Sequence, residues 1–529
     1  MLSRGRTNRT SRQMRVSKDH AGKILNLAKL AHTCDELRRQ GRKVVLCHGV
    51  FDLFHVGHVR HLKAAREFGD VLVVSITGDK YVNKGPERPA FPSELRAELL
   101  AALELVDYVT VIEEASAAPA ILAVKPYRFV KGGEYADPKQ DLTGKIVAEK
   151  QLVESLGGEL AFTRDITFSS SNLLNKFFGF QDEAARNYLA RLRDRNFEAE
   201  FRHVLEKIEG MRFLVVGETI IDRYVYVDAM GKAAKENIIA TLHRNEEVFA
   251  GGVIAVANNL AQFSHNVDLI TTIGDPELGD NYETLIREQL NPAVNVTFVY
   301  KPGAPTVRKT RFVEPTYVRK LFEVYDMDDR PMPPQVDDQL RATLAAKLSN
   351  VDAAIVCDFG HGMISQPTIN LLESGPPFLA VNAQSNSGNS GYNLISKYRR
   401  ADLICIDAME GRLSLRDKHA SVPDILGDGG LSKQIKCSNI IVTDGRAGCY
   451  AKANGAVTHI PSFGTSVVDT VGAGDAFFAL AAPFVAAGVD CEFAGFVGNV
   501  AGAIKIGIVG HRRYLTRFEI QRHISILLK

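Results

Sequence analysis

Along the chain, apolar positions fall into two alternating kinds of block. Short unbroken runs rich in Val, Ile and Leu read as strands buried on both faces, and longer stretches with apolar residues three and four apart read as helices. Residues 21–40, AGKILNLAKLAHTCDELRRQ, carry the helical spacing and stop before Gly41. KVVLCHGVFD then predicts a strand running into a turn, HVRHLKAAREFG a helix, DVLVVSIT a strand, SELRAELLAAL a helix, and YVTVIE and YRFVKGG two more strands. Such βαβαβ alternation predicts a parallel, doubly wound sheet. This unit is expected to span 21–180, after a basic and disordered tail at 1–20. The charged stretch 181–208 predicts a linker helix. A second α/β unit over 209–529 opens at RFLVVGETIID, and its strands include VDLITTIG, AAIVCDFG, FLAVNA, DLICID and NIIVTDG. The halves share no obvious repeat, so the chain reads as a fusion of two different domains.

Composition narrows the classes. The chain has 529 residues, 45% hydrophobic and 24% charged, with a net charge of +2. That near-neutral balance gives no global reason to expect nucleic acid or an anionic membrane as partner. Seven dispersed cysteines without a CxxC pair predict reduced, mostly buried thiols and a cytoplasmic location. No apolar run approaches a membrane-spanning length. The first residues, with Arg4, Arg6, Arg9, Arg12, Arg15 and Lys18, read as a solvated tail or as an organelle transit peptide.

Candidate chemistry concentrates first in HGVFDLFHVGHVRHL, residues 48–62, with four histidines. A strand followed by this turn puts His55 and His58 at the C-terminal mouth of a parallel sheet, beside a helix N-terminus, where open α/β sheets bind ligands and phosphates meet free N–H groups. Gly57 allows close approach, and the two imidazoles can donate to phosphate oxygens in a transition state. A metal site would need more ligands than Asp52, the near candidate, and a purely structural pair is the other alternative. His48 reads as structural, whereas His61 either faces the site or packs.

With Gly49, Val50, Phe51, Asp52, His55, Gly57 and His58, and with the later Lys84, Arg88, Pro89, Glu94–Arg96, Val130–Tyr135 and Phe168–Asn172, residues 25–178 resemble the HxGH nucleotidyltransferases. The likeness is nearest to the adenylyltransferase half of the bifunctional heptose 7-phosphate kinase and heptose 1-phosphate adenylyltransferase family. That resemblance implies attack of a sugar 1-phosphate on the α-phosphate of a nucleoside triphosphate, with Mg2+ and release of pyrophosphate. It assigns the reacting phosphates to His55 and His58 and nearby cations to Lys63 and Lys131. It also gives nucleotide or phosphate contacts to Gly49, Phe51, Asp52 and Gly57, and phosphate at a helix start to Ser169, Ser170 and Ser171. For Lys63 a solvated helix face is the equal alternative. Cytidylyltransferases of the superfamily carry a glycine in the stretch that reads Arg164–Ser171 here, and its absence favours ATP over CTP.

The second constellation is VVDTVGAGDAFFAL, residues 467–480. Gly472, Ala473 and Gly474 open a helix whose N–H groups can form an anion hole, and Asp475 is placed to take a proton from an attacking hydroxyl. This string, with Gly217–Asp222, Gly251-Gly252, Thr443–Gly448 and Gly507–Gly510, resembles the ribokinase-like PfkB sugar kinases over 210–525. The resemblance implies a ribokinase-like fold with a small β lid. It makes Asp475 the base and places ATP by Thr443, Gly445, Gly448 and Asn499, and sugar by Asp222, Gly251, Gly252, Asn259, Lys309 and Arg311. Three departures stand out. Ala255 replaces an asparagine expected to contact sugar hydroxyls; Asp407 precedes Glu410 where an asparagine is usual, the pair being the candidate Mg2+ ligands; and Val381–Asn386 lacks an acid and a base.

Together these readings predict a bifunctional enzyme that phosphorylates a sugar or sugar phosphate with ATP and joins a sugar 1-phosphate to a nucleotide, giving a heptose-like activated sugar. Its expected partners are sugar phosphate and nucleoside triphosphate, and a homodimer or larger homo-oligomer. Two alternatives stay open: a cytidylyltransferase for another sugar or polyol phosphate, and an active transferase fused to a kinase-like half that only binds or oligomerises.

Overall fold

A computed structural model describes residue 20 and residues 22–82, 89–133, 145–163, 183–279, 282–453, 455–464 and 467–528. The chain divides into two compact units, 1–179 and 180–529.

The first unit begins with α1 (Leu27–Arg39), capped by the Asn26 side chain, which accepts from the Lys29 N–H at 2.9 Å. β1 (Val44–Gly49), α2 (Val56–Arg66), β2 (Val71–Thr77), α3 (Ser93–Ala101), β3 (Tyr108–Ile112), α4 (Ala118–Val124), β4 (Arg128–Lys131), α5 (Lys145–Ser155) and β5 (Glu159–Phe162) follow. The strands form one parallel sheet in the order β3-β2-β1-β4-β5. Alternation along the buried strands feeds two cores: Val45, Cys47, Leu72 and Val74 face one way, Val44, Leu46, Val71 and Val73 the other. That is the doubly wound arrangement the apolar runs predict. The order in which successive strands are added reverses between β1 and β4, so β1 ends at the crevice where such sheets bind ligands.

The second unit starts with α6 (Glu183–Asp194) and α7 (Phe197–Gly210). The expected linker helix is thus two helices, broken where Asn196 adopts a left-handed conformation with φ 55°. Their apolar faces, including Tyr188, Leu189, Phe197, Phe201 and Leu205, belong to the core of this unit. Then come β6 (Arg212–Lys232), β7 (Ile239–Gly252), α8 (Val253–Leu260), β8 (Asn266–Ile273), α9 (Tyr282–Gln289), β9 (Val294–Tyr300), β10 (Arg308–Glu314), β11 (Arg319–Asp326) and α10 (Pro334–Leu348). After these follow β12 (Ala353–Asp358), α11 (Gln366–Ser374), β13 (Leu379–Ala383), β14 (Leu403–Asp407), α12 (Ala408–Leu415), α13 (Val422–Leu426) and β15 (Ile440–Thr443). β16 (Cys449–Ala453), β17 (Ala456–Ile460), α14 (Ala473–Ala486), α15 (Cys491–Lys505) and α16 (Arg517–Leu527) complete the unit.

β6 joins two sheets. Its first third, Arg212–Glu218, lies parallel between β8 and β12 in the central sheet. The rest leaves that sheet to pair with β7 and β10, which with β11 make the lid. Two cores cover the central sheet, one built on α8, α14 and α15, the other on α10, α11, α12 and α13. All seven cysteines are unpaired and six are buried. Among the described residues no helix is long and apolar enough to cross a membrane.

Candidate active site

In the first unit β1 ends in a tight turn with Phe51 at φ 49° and Leu53 at φ 44°, a conformation uncommon for residues with side chains. Buried Arg96 holds the turn from below: its guanidinium donates to the carbonyls of Val50 at 2.5 Å, Phe91 at 2.9 Å and Thr77 at 2.9 Å, and to Asp79 Oδ1 at 2.6 Å. Asp52 is fully buried, and its Oδ1 accepts from the Ala90 and Phe91 N–H groups at 2.9 and 3.3 Å. Its contacts are those of a loop anchor.

The turn delivers His55 to the N-cap of α2. His55 Nδ1 accepts from the Gly57 N–H at 3.1 Å, and His58 Nδ1 accepts from the His55 N–H at 3.3 Å, a reciprocal capping pair. The rings lie 4.0 Å apart, with Phe54 stacked on His58 at 5.3 Å. An imidazole that accepts at Nδ1 carries its neutral-form proton on Nε2. Both neutral histidines therefore carry their proton on Nε2, which is buried in His55, and the backbone at α2's first turn sets that choice.

His48 meets Ser75 Oγ at 2.9 Å and Thr77 Oγ1 at 3.3 Å, so both its nitrogens face β2, as a structural role requires. His61 turns toward the sheet end and meets Thr163 Oγ1 at 3.0 Å. Lys131 lies at the end of β4 and forms an ion pair with buried Glu149 of α5 at 2.9 Å. Lys63 is exposed on α2. A Cβ at Gly49 would lie 3.1 Å from Phe51 Cε2, so the glycine leaves room for that ring. Ser169, Ser170 and Ser171, with Lys84, Arg88 and Glu134-Tyr135, lie outside the described residues.

In the second unit, Gly472 (φ 75°) caps α14, and a Cβ there would lie 2.6 Å from His511 Cε1, so only glycine fits the turn. Behind it, the buried Lys505 ammonium donates to the carbonyls of Val471 and Gly510, both at 2.7 Å. Asp469 accepts from the Gly510 and Val471 N–H groups at 2.8 and 3.1 Å, from Tyr224 at 2.8 Å and from Lys320 at 2.7 Å. The loop before Gly472, Ala473 and Gly474 is thus clamped from both ends.

Asp475 follows in the first turn of α14, and its Oδ1 accepts from the Gln384 amide at 3.0 Å. Burial raises its pKa, and the nearby Asp222 charge adds to this against the pull of His511, Gln384 and Lys505. A carboxylate with a raised pKa is a stronger base. Asp222 behaves oppositely. Burial would raise its pKa, but the Arg311 guanidinium hydrogen-bonded to its Oδ1 and the His511 ring 3.4 Å from its Oδ2 hold it well below the carboxylate range. Gly251 is required beside it, since a Cβ would sit 2.2 Å from Asp222 Oδ2. Gly252 caps α8, and Lys309 is the cross-strand partner of Asp222. Asn259 Oδ1 accepts from the Leu515 N–H at 3.0 Å, a contact within the chain.

Asp407 and Glu410 form a capping box at the start of α12. Asp407 Oδ1 accepts from the Glu410 N–H at 2.7 Å, and Glu410 Oε2 from the Asp407 N–H at 2.8 Å. Here aspartate does what asparagine does at an N-cap. Glu410 Oε1 also accepts from the Ser385 N–H at 3.0 Å, and burial, with the Asp407 charge, pushes its pKa up to about 8. Each oxygen keeps a lone pair, and a bound cation would stabilise the ionised form. Among the described residues no group of three or more His, Cys, Asp or Glu could hold a metal ion. A Mg2+ held mainly by nucleotide phosphates needs one or two protein carboxylates, which Glu410 and Asp407 can supply. Thr443 is the strand partner of Asp407, the turn through Gly445 and Gly448 follows it, and Asn499 donates to the carbonyls of Ile460 and Pro461, both at 3.1 Å.

Sequence reasoning quoted Arg96 within Glu94–Arg96 and Gln384 within Val381–Asn386 without giving either a role of its own, and it passed over Lys505 and His511. Lys505 left a trace, a single cation inside the apolar run VAGAIKIGIVG. Gln384 left none, because its partner is 91 residues away.

Comparison with known proteins agrees with this division. The profile of the pfkB family carbohydrate kinases matches residues 212–515, and that of the cytidylyltransferase-like family matches residues 46–173. The chain is 39% identical over 162 residues to the bifunctional protein HldE of Trichlorobacter lovleyi, covering 30% of this chain and 32% of the relative. It is 43% identical over 125 residues to HldE of Syntrophotalea carbinolica, covering 23% and 24%. The chain thus spans about a third or less of the length of these curated relatives. A ribokinase structure from Thermotoga maritima covers 60% of this chain and 99% of its own, at 20% identity and TM-score 0.46.

Proposed function

The chain belongs to the pfkB family of carbohydrate kinases, and from that premise we propose that it is a bifunctional enzyme whose second unit phosphorylates a sugar or sugar phosphate with ATP and whose first unit joins a sugar 1-phosphate to a nucleotide with release of pyrophosphate. The observation that carries this reading is the Asp475 carboxylate, raised in pKa and held by Gln384 one residue after the clamped Gly472–Gly474 turn. A base beside a helix N-terminus suits a reaction that deprotonates a hydroxyl while an anionic phosphoryl group is transferred to it. His55 and His58, whose Nδ1 atoms are taken up by backbone N–H groups at the start of α2 so that the neutral rings keep their protons on Nε2, support nucleotidyl transfer in the first unit. Phosphates of the nucleotide would meet these donors and the N-terminus of α2. Mg2+ would be held at Glu410 and Asp407 and would neutralise phosphate charge. The activated product is a heptose-like nucleotide sugar, ATP is preferred to CTP, and the enzyme acts in the cytoplasm as a homo-oligomer.

The test supplies ATP, Mg2+ and a panel of sugars and sugar phosphates, including heptose phosphates, and follows ADP and pyrophosphate separately. Asp475→Asn is expected to lower ADP formation by at least 1000-fold and leave pyrophosphate release from a sugar 1-phosphate unchanged. Absence of ADP formation by the wild type with every acceptor would refute the kinase reading. A second reading, a kinase-like half that binds without turnover, is favoured by one observation: both oxygens of Asp222, expected on sugar hydroxyls, face Arg311 and His511. Acceptor binding without ADP formation would establish it.

A further inference from the structure

Lys505 ends α15 and is only 2% exposed. A charged side chain is rarely taken out of water unless it is paired. The hydrogen-bond partners of this ammonium are two backbone carbonyls, those of Val471 and Gly510, each at 2.7 Å. The carboxylate nearest in the loop, Asp469, is engaged elsewhere, by Lys320, by Tyr224 and by the N–H groups of Gly510 and Val471. Val471 and Gly510 are thus each held at both ends of the backbone, the N–H by Asp469 and the carbonyl by Lys505. Burial pulls the Lys505 pKa down, and the charges of Asp469, Asp475 and Asp222 act against that loss.

Converging carbonyl oxygens are the groups with which proteins replace the water of a monovalent cation. Here the cation is covalently attached to the chain. It also lies against the turn that matters for phosphoryl transfer, since a Cβ on Gly472 would sit 3.3 Å from Lys505 Cε. In the planar trans peptide between Val471 and Gly472, the carbonyl and the N–H point in opposite directions. Holding the Val471 oxygen from behind therefore turns the Gly472 N–H away from Lys505, as an anion hole at the start of α14 requires.

We propose that the Lys505 ammonium is a tethered monovalent cation, a positioning residue that keeps the Gly472–Gly474 turn in its anion-receiving form. Phosphoryl transfer then needs no free monovalent cation, and the Val471 and Gly510 carbonyls become a site for one when the side chain is removed. This rests on the kinase reading above.

The experiment uses the full chain as wild type, Lys505→Ala and Lys505→Met, with potassium, ammonium, methylammonium or tetramethylammonium as the monovalent cation of the buffer. ADP formation with ATP, Mg2+ and the acceptor panel is followed alongside the melting temperature. Wild type is expected to turn over equally in every buffer. In tetramethylammonium, which is too large for the vacated space, Lys505→Ala is expected to lose about 100-fold in kcat with the acceptor KM little changed. Ammonium, methylammonium or potassium should restore at least about tenfold of that loss and raise the variant's melting temperature in step. Lys505→Met fills the space with an apolar chain, so it should lose activity without recovery in any buffer. A merely structural clamp would lower the melting temperature of both variants with no cation-specific recovery, and that result would overturn the proposal. A wild type whose turnover rises several-fold with potassium would overturn it too, as would Lys505→Ala that stays unfolded or inactive in every buffer. If wild type forms no ADP with any acceptor, the kinase reading fails. The cation site then stands if ammonium but not tetramethylammonium raises the melting temperature of Lys505→Ala, and falls if neither does.

Discussion

Arg311→Met isolates the buried ion pair beside the candidate base. Asp222 and Arg311 are 4% and 8% exposed at the side chain, and the guanidinium meets Asp222 Oδ1 while its Nε donates to Glu323 Oε1 at 3.0 Å. Glu323 is a third exposed and can turn to water. Asp222 cannot, and His511 would be its remaining partner. Breaking a buried pair by removing one member costs about 3–5 kcal/mol, since an uncompensated charge stays buried. Folding stability at pH 7 should fall by that amount.

The pH dependence should also change sign. In the wild type the folded pKa of Asp222 lies below its unfolded value, so its stabilisation is fully present above about pH 4 and is lost only as pH falls through the folded pKa. Between pH 5 and 8 it contributes no slope. Without Arg311 the burial that opposes ionisation dominates, and the folded pKa rises above the unfolded one. The variant then recovers stability as pH falls, by up to about 1.4 kcal/mol per unit below the new pKa. The chain has no tryptophan, so urea titrations at pH 5, 6.5 and 8 are followed by far-ultraviolet circular dichroism. Asp222→Asn added to Arg311→Met should restore part of the loss. A deficit under about 1 kcal/mol that is constant from pH 5 to 8, with no gain from the second change, would refute the reasoning.

Two further outcomes follow from the same geometry. His58→Ala removes both a presented Nε2–H and the Nδ1 acceptor for the His55 N–H, so pyrophosphate release should fall at least about 100-fold, with ADP formation unchanged and the first unit less stable by about 1 kcal/mol, read in parallel assays and a melt. Asp407→Asn keeps an N-cap acceptor for the Glu410 N–H, so the melting temperature should move by less than about 2 °C and ADP formation should persist; loss of ADP formation with an unchanged melt would show that the Asp407 charge itself holds the cation.

How far the sequence reaches depends on the range of the interaction. Strand runs such as VVLC and VLVVSIT alternate between two cores because side chains on a strand alternate faces, so the parallel sheet of the first unit was legible locally, whereas the second unit's sheet is mixed, with the antiparallel strands β16 and β17 at its edge. Likewise the spacing His55-Val56-Gly57-His58 contains its own outcome. A capping pair three residues apart needs only the first turn of α2, and the glycine-rich turn before Asp475 needs only the first turn of α14. The linker was legible as helical but not as two helices in a core, since the break at Asn196 depends on what Phe197 packs against: Phe493, at 4.1 Å between rings.

Tertiary structure decided what each charge meets. Arg311 finds Asp222 across 89 positions because β10 lies parallel to the second part of β6. Gln384 reaches Asp475, and Lys505 reaches behind Gly472, through the arrangement of the sheet and its covering helices, which no local period specifies. Asp222 and Asp475 are both aspartates near glycines in the sequence, yet one is held ionised by a guanidinium and the other is raised by burial. Periodicity determined which residues face inward, because that is a property of one element. The protonation and reach of the inward charges were decided by neighbours from other elements, because Coulomb and hydrogen-bond energies depend on distance in space, not along the chain.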